Sequence, residues 1–262
     1  MNKESLVHDS AHTHVQGCSE FISDRPKQEG ELVVDFVYSP FAHAKIKSIE
    51  LDIAKKIPGV EALFTASDIP HNRWGTVEQD QPFLASEYCQ YAGEPIVLVA
   101  ATNKEALQAA RNAIHIEFEQ LDAILSIEEA LRQNSFLLQG ALGSSQKIIA
   151  GQLQELEAVF TSATNQLLGV FVSAGQEHLY FETQSVVVYP LEDGGVMEIH
   201  ASTQHPTEVQ HVVAHMLGIQ LHQVVCIVKR MGGGFGGKES QAAHFAALAA
   251  LVAYKTKRAA RL

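Results

Sequence analysis

Met231 to Glu239 reads Met-Gly-Gly-Gly-Phe-Gly-Gly-Lys-Glu, and the five glycines in this run constrain the fold more than any other feature of the chain. Glycine has no Cβ, so its backbone can approach a ligand closely and adopt φ > 0, but each glycine costs conformational entropy on folding. A turn that merely packs a helix against a strand needs one or two. Before the run, Val224 to Val228 is apolar and β-branched and predicts a buried strand; after it, the Ala-rich Gln241 to Tyr254 predicts a helix. A strand, glycine loop and helix in this order turn unpaired backbone N–H groups and the positive end of a helix dipole toward the loop. An anionic or phosphorylated ligand is therefore the first expectation.

Two well-known patterns fit the spacing and fail on chemistry. Gly232, Gly237 and Lys238 satisfy a Walker A loop, but Glu239 stands where a hydroxyl should bind magnesium, and Ser240 is one residue late. Gly232, Gly234 and Gly237 satisfy G-x-G-x-x-G, but a dinucleotide site needs a second parallel strand ending in an acid about 20 residues on. The chain after Glu239 holds instead a helix and a basic stretch, Lys255 to Arg261.

The organisation is mixed. Leu32 to Tyr38 and Ile96 to Ala100 predict strands, and Asn103 to Arg111 predicts a helix leading into a strand at Ala113 to Phe118. The Ser, Gly and Gln-rich stretch from Asn134 to Lys147 reads as a linker. Beyond it, Ala158 to Val172, Ser185 to Tyr189 and Val196 to Ala201 predict strands, with a turn at Leu191 to Gly195. A helix is expected to start at His205-Pro206-Thr207 and to stop at Gly218. The Gln241 to Tyr254 helix is apolar around most of its circumference, so it must be buried on several sides. With so little chain after it, this points to a fragment or a missing partner.

With 262 residues, 46% of them hydrophobic, the chain can form one large or two modest cores, and its net charge of −11 argues against a nucleic-acid partner. The sequence has no signal peptide and no apolar run of about 18 residues, so no membrane association and a cytoplasmic location are expected. Cys18, Cys89 and Cys226 are too few and too scattered to hold an iron–sulfur cluster. Cys226, in the strand before the loop, reads as a small buried hydrophobe.

The glycine run resembles the molybdopterin-binding loop of the xanthine dehydrogenase and aldehyde oxidase family. Gly175-Gln176-Glu177-His178-Leu179-Tyr180-Phe181-Glu182 is similar to that family's Gly-Gln-Glu-His segment. Ser202-Thr203-Gln204-His205-Pro206-Thr207-Glu208-Val209-Gln210 is similar to its bacterial molybdenum subunits in particular. Ser39-Pro40-Phe41-Ala42-His43-Ala44, Pro58-Gly59-Val60 and Tyr91-Ala92-Gly93-Glu94-Pro95 resemble the hammerhead domain that precedes the molybdopterin domain. The resemblance implies an α+β chain, with an α/β hammerhead domain at 16–132 and the first part of a molybdopterin-binding domain at 148–262. Two positions depart from the family pattern: Ala259 replaces a usual proline, and Ala174 a common second glycine.

The resemblance also implies roles. Gln176 hydrogen-bonds at the molybdenum, and Gly234, Phe235, Gly236 and Gly237 contact cofactor or metal through their backbone, with the Phe235 ring packed under the loop. Glu239 contacts a purine substrate such as xanthine, although a first-turn glutamate complementing the helix dipole reads the same way in sequence. The implied reaction hydroxylates a heterocycle carbon with oxygen from water. Electrons pass to iron–sulfur and FAD centres in partner chains.

The family's catalytic glutamate and substrate arginine lie beyond these residues, so no catalytic residue is assigned in this chain and no turnover is expected from it alone. The implied partners are the remaining molybdenum-domain polypeptide and an iron–sulfur/FAD subunit; a non-catalytic interaction or cofactor-handling module is the alternative. Lys238 reads as a phosphate or solvent contact, because nothing in the sequence signals a buried lysine. Glu177 and His178 would point to opposite faces of a strand, which favours structural roles over an acid/base pair. His211 and His215 share a helix face at a spacing able to bind metal, but Val212 stands where a zincin needs glutamate. They and the terminal His8, His12 and His14 read as solvated or core-edge residues.

Overall fold

The computed structural model describes residues 8–135, 153–191 and 196–262. Most of the linker expected at Asn134 to Lys147, and Glu192 to Gly195 of the expected turn, lie outside the described residues. The chain divides into two compact units, residues 1–123 with 178–262, and residues 124–177.

Among the described residues the larger unit has a short helix α1 (Ala11–Val15) and ten strands: β1 (Leu32–Tyr38), β2 (Ala44–Glu50), β3 (Val60–Phe64), β4 (Tyr88–Cys89), β5 (Pro95–Ala101), β6 (His115–Gln120), β7 (Val186–Pro190), β8 (Met197–Ala201), β9 (Val224–Ile227) and β10 (Ala260–Arg261). Helix α2 (Lys104–Ala113) joins β5 to β6. The smaller unit contains α3 (Ile127–Gln133) and α4 (Leu153–Ser162). Back in the larger unit, α5 (Pro206–Leu217) follows β8 and α6 (Gln241–Thr256) follows the glycine loop.

Seven strands form one sheet in the order β3-β5-β1-β10-β7-β8-β9, and β4-β2-β6 form a second. The short β10 joins the two ends of the sequence: Ala260 pairs with Leu32 of β1 in parallel and with Val188 of β7 antiparallel. Strand β5 is buried along its whole length because its two faces serve different cores. Leu98 and Ala100 face the cluster that contains α6, while Val97, Val99 and Ala101 face the cluster that contains α2. A continuous apolar run is the sequence signature of such a doubly covered strand.

Local chemistry sets the helix ends. Asn103 caps α2, its Oδ1 accepting from Ala106 N–H at 2.8 Å, and Arg111 in the last turn donates to Asp35 on β1. Pro206 opens α5, and Gly218 closes it in the left-handed conformation at φ +66. Both ends fall where the sequence placed them.

Two expectations are corrected. Ala158 to Val172 is not a strand: α4 covers its first part and no regular element follows. Leu156, Val159 and Phe160 recur at helical spacing, and that period outweighs the β-branched content. Nor does α6 lack cover within the chain. Residues Ala242 to Ala253 are buried almost throughout, against α5, β7, β8 and β10, and also against β3 from the first third of the sequence. Phe36 of β1 meets the Phe245 ring edge-on at 6.0 Å, and Trp74 stacks on His244 at 5.0 Å. Part of the cover comes from β3, Phe36 and Trp74, more than 150 positions upstream, which periodicity cannot reveal.

Candidate cofactor site

Strand β9 delivers the chain to the glycine loop and α6 carries it away, with Ala243 N–H bonded to Ser240 carbonyl in the first turn. The loop turns on left-handed residues: Gly233 at φ +95, Phe235 at φ +50 and Gly236 at φ +97. Gly237 N–H donates to the Gly234 carbonyl at 2.7 Å, closing the tip.

The other glycines answer to contacts. A Cβ on Gly232 would lie 2.5 Å from the Cβ of Glu182, and one on Gly234 would lie 2.6 Å from Gln204 Oε1. On Gly237 it would meet Tyr180 Cε1 at 2.7 Å and His178 Nδ1 at 2.8 Å. The loop therefore lies flat on residues from the two upstream motifs, which no side chain would allow.

Two of those residues, Glu182 and Gln204, and the nearby Gln184 grip it through polar bonds. Glu182 exchanges main-chain and side-chain bonds with Gly232, its N–H donating to the Gly232 carbonyl at 3.1 Å and its Oε2 accepting from Gly232 N–H at 2.8 Å. Gln204 Oε1 accepts from Gly236 and Lys238 N–H. Gln184 Nε2 donates to the Gly237 carbonyl at 2.9 Å and to Tyr180 Oη at 3.1 Å. With the flanks so tied, the N–H groups of Gly233, Gly234 and Phe235 find no partner among the described residues. Three adjacent free donors on backbone alternating into the left-handed region form a concavity suited to anionic or oxo groups.

Lys238 overturns its sequence reading. It is fully buried, with Nζ 3.3 Å from Glu182 Oε2, 2.8 Å from Ser202 Oγ and 4.7 Å from the centre of the Tyr180 ring. Burial pushes its pKa down, and the Glu182 carboxylate opposes that shift. The Phe235 ring also departs from expectation: it is 75% exposed rather than packed under the loop.

Gly234, Phe235, Gly236, Gly237 and Glu239 are brought together on this one loop, and Glu239 presents its side chain to solvent beside the tip. Gln176 falls in the other unit, exposed and outside regular secondary structure. Glu177 and His178 are likewise not on a strand. His215 stacks on His71 at 5.1 Å, and burial followed by the neighbouring His71 lowers its pKa. Among the described residues no group of three or more His, Cys, Asp or Glu converges to hold a metal ion. Cys226 packs against the core below the loop, its thiol pushed up to about 12 by burial.

Glu182, Gln184, Ser202 and Gln204 were not singled out from the sequence. A signal was present, since Tyr180, Glu182 and Gln184 alternate at the period of extended chain and all turn toward the loop.

Two family models match the chain: the aldehyde oxidase and xanthine dehydrogenase a/b hammerhead domain over residues 16–122, and the molybdopterin cofactor-binding domain over residues 143–262. Xanthine dehydrogenase of Oryza sativa subsp. japonica is 37% identical over 99% of the chain, and aldehyde oxidase 2 of Cavia porcellus is 37% identical over 98%. The chain spans 19% of the length of each. Quinoline 2-oxidoreductase from Pseudomonas putida 86 superposes with a TM-score of 0.82 at 26% identity, covering 98% of this chain and 34% of that one.

Proposed function

Because the chain belongs to the xanthine dehydrogenase and aldehyde oxidase family of molybdenum hydroxylases, we propose that it supplies the hammerhead and cofactor-loop portion of a purine-oxidising enzyme such as a xanthine dehydrogenase. The observation that carries this reading is the row of N–H donors at Gly233, Gly234 and Phe235 without a partner among the described residues, on a loop where Gly232, Gly234 and Gly237 leave no room for a Cβ. When bound, the molybdopterin cofactor supplies the metal and the electron route for hydroxylating a heterocycle carbon with oxygen from water.

The residues of this chain bind and orient. The loop tip donates hydrogen bonds to the cofactor without adding charge, and the exposed Phe235 ring offers an apolar wall beside it. Glu239, exposed and without a hydrogen-bond or ion-pair partner for its side chain among the described residues, offers a carboxyl to the N–H edge of a purine. The family motif alone, and not its place in the fold, assigns Gln176 an amide contact to the metal. Proton transfer and the remaining pterin contacts fall to further molybdenum-domain polypeptide, and electron transfer to an iron–sulfur/FAD subunit. None of the helices among the described residues is long and apolar enough to cross a membrane.

The test is Glu239→Ala in the assembled enzyme, comparing xanthine with a simple aldehyde. A charge-assisted hydrogen bond to substrate is worth about 1.5–3 kcal/mol, so kcat/KM for xanthine should fall by roughly 10- to 100-fold while the aldehyde is spared. Equal loss for both substrates, or an enzyme that turns over only the aldehyde before mutation, would remove the purine assignment.

A further inference from the structure

Lys238 and Glu182 are an unusual expense in a loop that already has two other anchors. The lysine side chain is 0% exposed and the glutamate 8%. Replacing a buried ion pair by apolar groups is often neutral or even stabilising, so net stability does not account for this one. Its placement offers a better account. A single oxygen, Glu182 Oε2, accepts from Gly232 N–H at 2.8 Å, Ser202 Oγ at 2.6 Å and Lys238 Nζ at 3.3 Å. Gly232 and Lys238 are the first glycine and the last residue before Glu239, so both ends of the loop are tied to one atom. Ser202 Oγ closes the ring by accepting from Lys238 Nζ at 2.8 Å. Between the two tied ends lie the free donors of the tip.

We propose that Glu182 and Lys238, bridged by Ser202, form a charged staple that fixes the shape of the glycine loop. They are positioning residues for the cofactor, and this role rests on the cofactor reading of the loop. Five glycines leave the backbone free to sample many conformations, and packing cannot restrain atoms that are absent. Pinning both ends to a carboxylate whose other oxygen accepts from Ile22 N–H at 3.4 Å supplies the restraint from outside the loop. The tip then holds its donors at fixed spacing before a ligand arrives, which lowers the ordering cost of binding.

The test uses the full chain with its co-purifying partners and the double substitution Glu182→Gln/Lys238→Met, which removes both charges at nearly constant volume. Three quantities are read: thermal unfolding, amide hydrogen exchange of residues 232–239, and molybdenum with pterin content. The staple requires unfolding close to wild type, with loop exchange faster on the order of tenfold, the loss of roughly one hydrogen bond's worth of local opening free energy. Ser202→Ala, which removes only the bridge and keeps both charges, should shift loop exchange in the same direction by a smaller factor. It decides the matter if the double variant fails to fold. Loop exchange at the wild-type rate in a folded variant overturns the staple. Faster exchange in variants of a wild-type protein that carries no molybdenum would uphold the staple and sink the cofactor reading, so the two failures are distinct.

Discussion

Gln204 Oε1 accepts the backbone N–H of Gly236 at 2.9 Å, so a side chain from the segment between β8 and α5 fixes the turn that displays Glu239. The same oxygen accepts from Lys238 N–H at 3.3 Å. Gln204→Ala leaves the exposed Gly236 N–H to water and takes from the N–H of the buried Lys238 its side-chain acceptor. The expected cost is about 0.5–1.5 kcal/mol, measured by urea unfolding, together with a marked loss of retained cofactor. Wild-type cofactor content in Gln204→Ala would show that the loop keeps its shape without this anchor.

Gly237→Ala should be worse than its small size implies. The new methyl would sit 2.7 Å from Tyr180 Cε1 and 2.8 Å from His178 Nδ1, and the loop must lift or the rings must shift. Such overpacking costs about 1–3 kcal/mol, visible as a fall of several degrees in Tm. Gly169→Ala is the control: nothing lies within 4 Å of its Cβ and the melting curve should not move.

Phe235 separates stability from function. A non-glycine residue at φ +50 with its ring in solvent carries backbone strain of about 1–2 kcal/mol and buries little in return. Phe235→Gly should therefore leave the unloaded chain as stable as wild type or slightly more so, while lowering cofactor retention. Clear destabilisation of the unloaded chain, read from chemical unfolding, would mean that the ring packs in this fold after all.

His244 makes stability depend on pH. It is buried among Trp74, Phe83 and Phe36, donates through Nε2 to the Phe83 carbonyl at 2.9 Å, and burial lowers its pKa to about 4. The unfolded chain binds this proton near pH 6.5, so between about pH 6.5 and 4 it holds more protons than the folded one, and stability falls as pH falls. At full effect the loss is about 3 kcal/mol. His244→Phe removes that slope, and unfolding free energies across pH 7.5 to 4.5 should show a shallower acid decline than wild type. Identical slopes would place the acid sensitivity elsewhere.

The sequence was most legible where local rules decide the outcome. Asn103 and Gly218 mark helix ends because capping involves only near neighbours. The glycine run was legible as a tight loop, and the structure uses its glycines for positive φ at Gly233 and Gly236 and for close contacts at Gly232, Gly234 and Gly237. Lys238 was misread for the opposite reason: its burial depends on Glu182 and Ser202, 56 and 36 residues away, and no local pattern encodes a pair at that separation. The Ala-rich α6 likewise looked short of cover because Phe36, Trp74 and Phe83 arrive from the far end of the chain. Local propensity is weakest where tertiary contacts choose between outcomes, as in α4, whose apolar residues satisfied two periods at once.

The central claim, that this glycine loop holds a molybdopterin cofactor, is tested most directly by purifying the protein from its source with whatever accompanies it. Molybdenum is then measured by elemental mass spectrometry, with pterin fluorescence after oxidation. Near-stoichiometric molybdenum and pterin, together with a co-purifying chain, is the result the account requires. Absence of both from intact, folded protein would contradict it and leave a non-catalytic module that keeps only the shape of the family's loop.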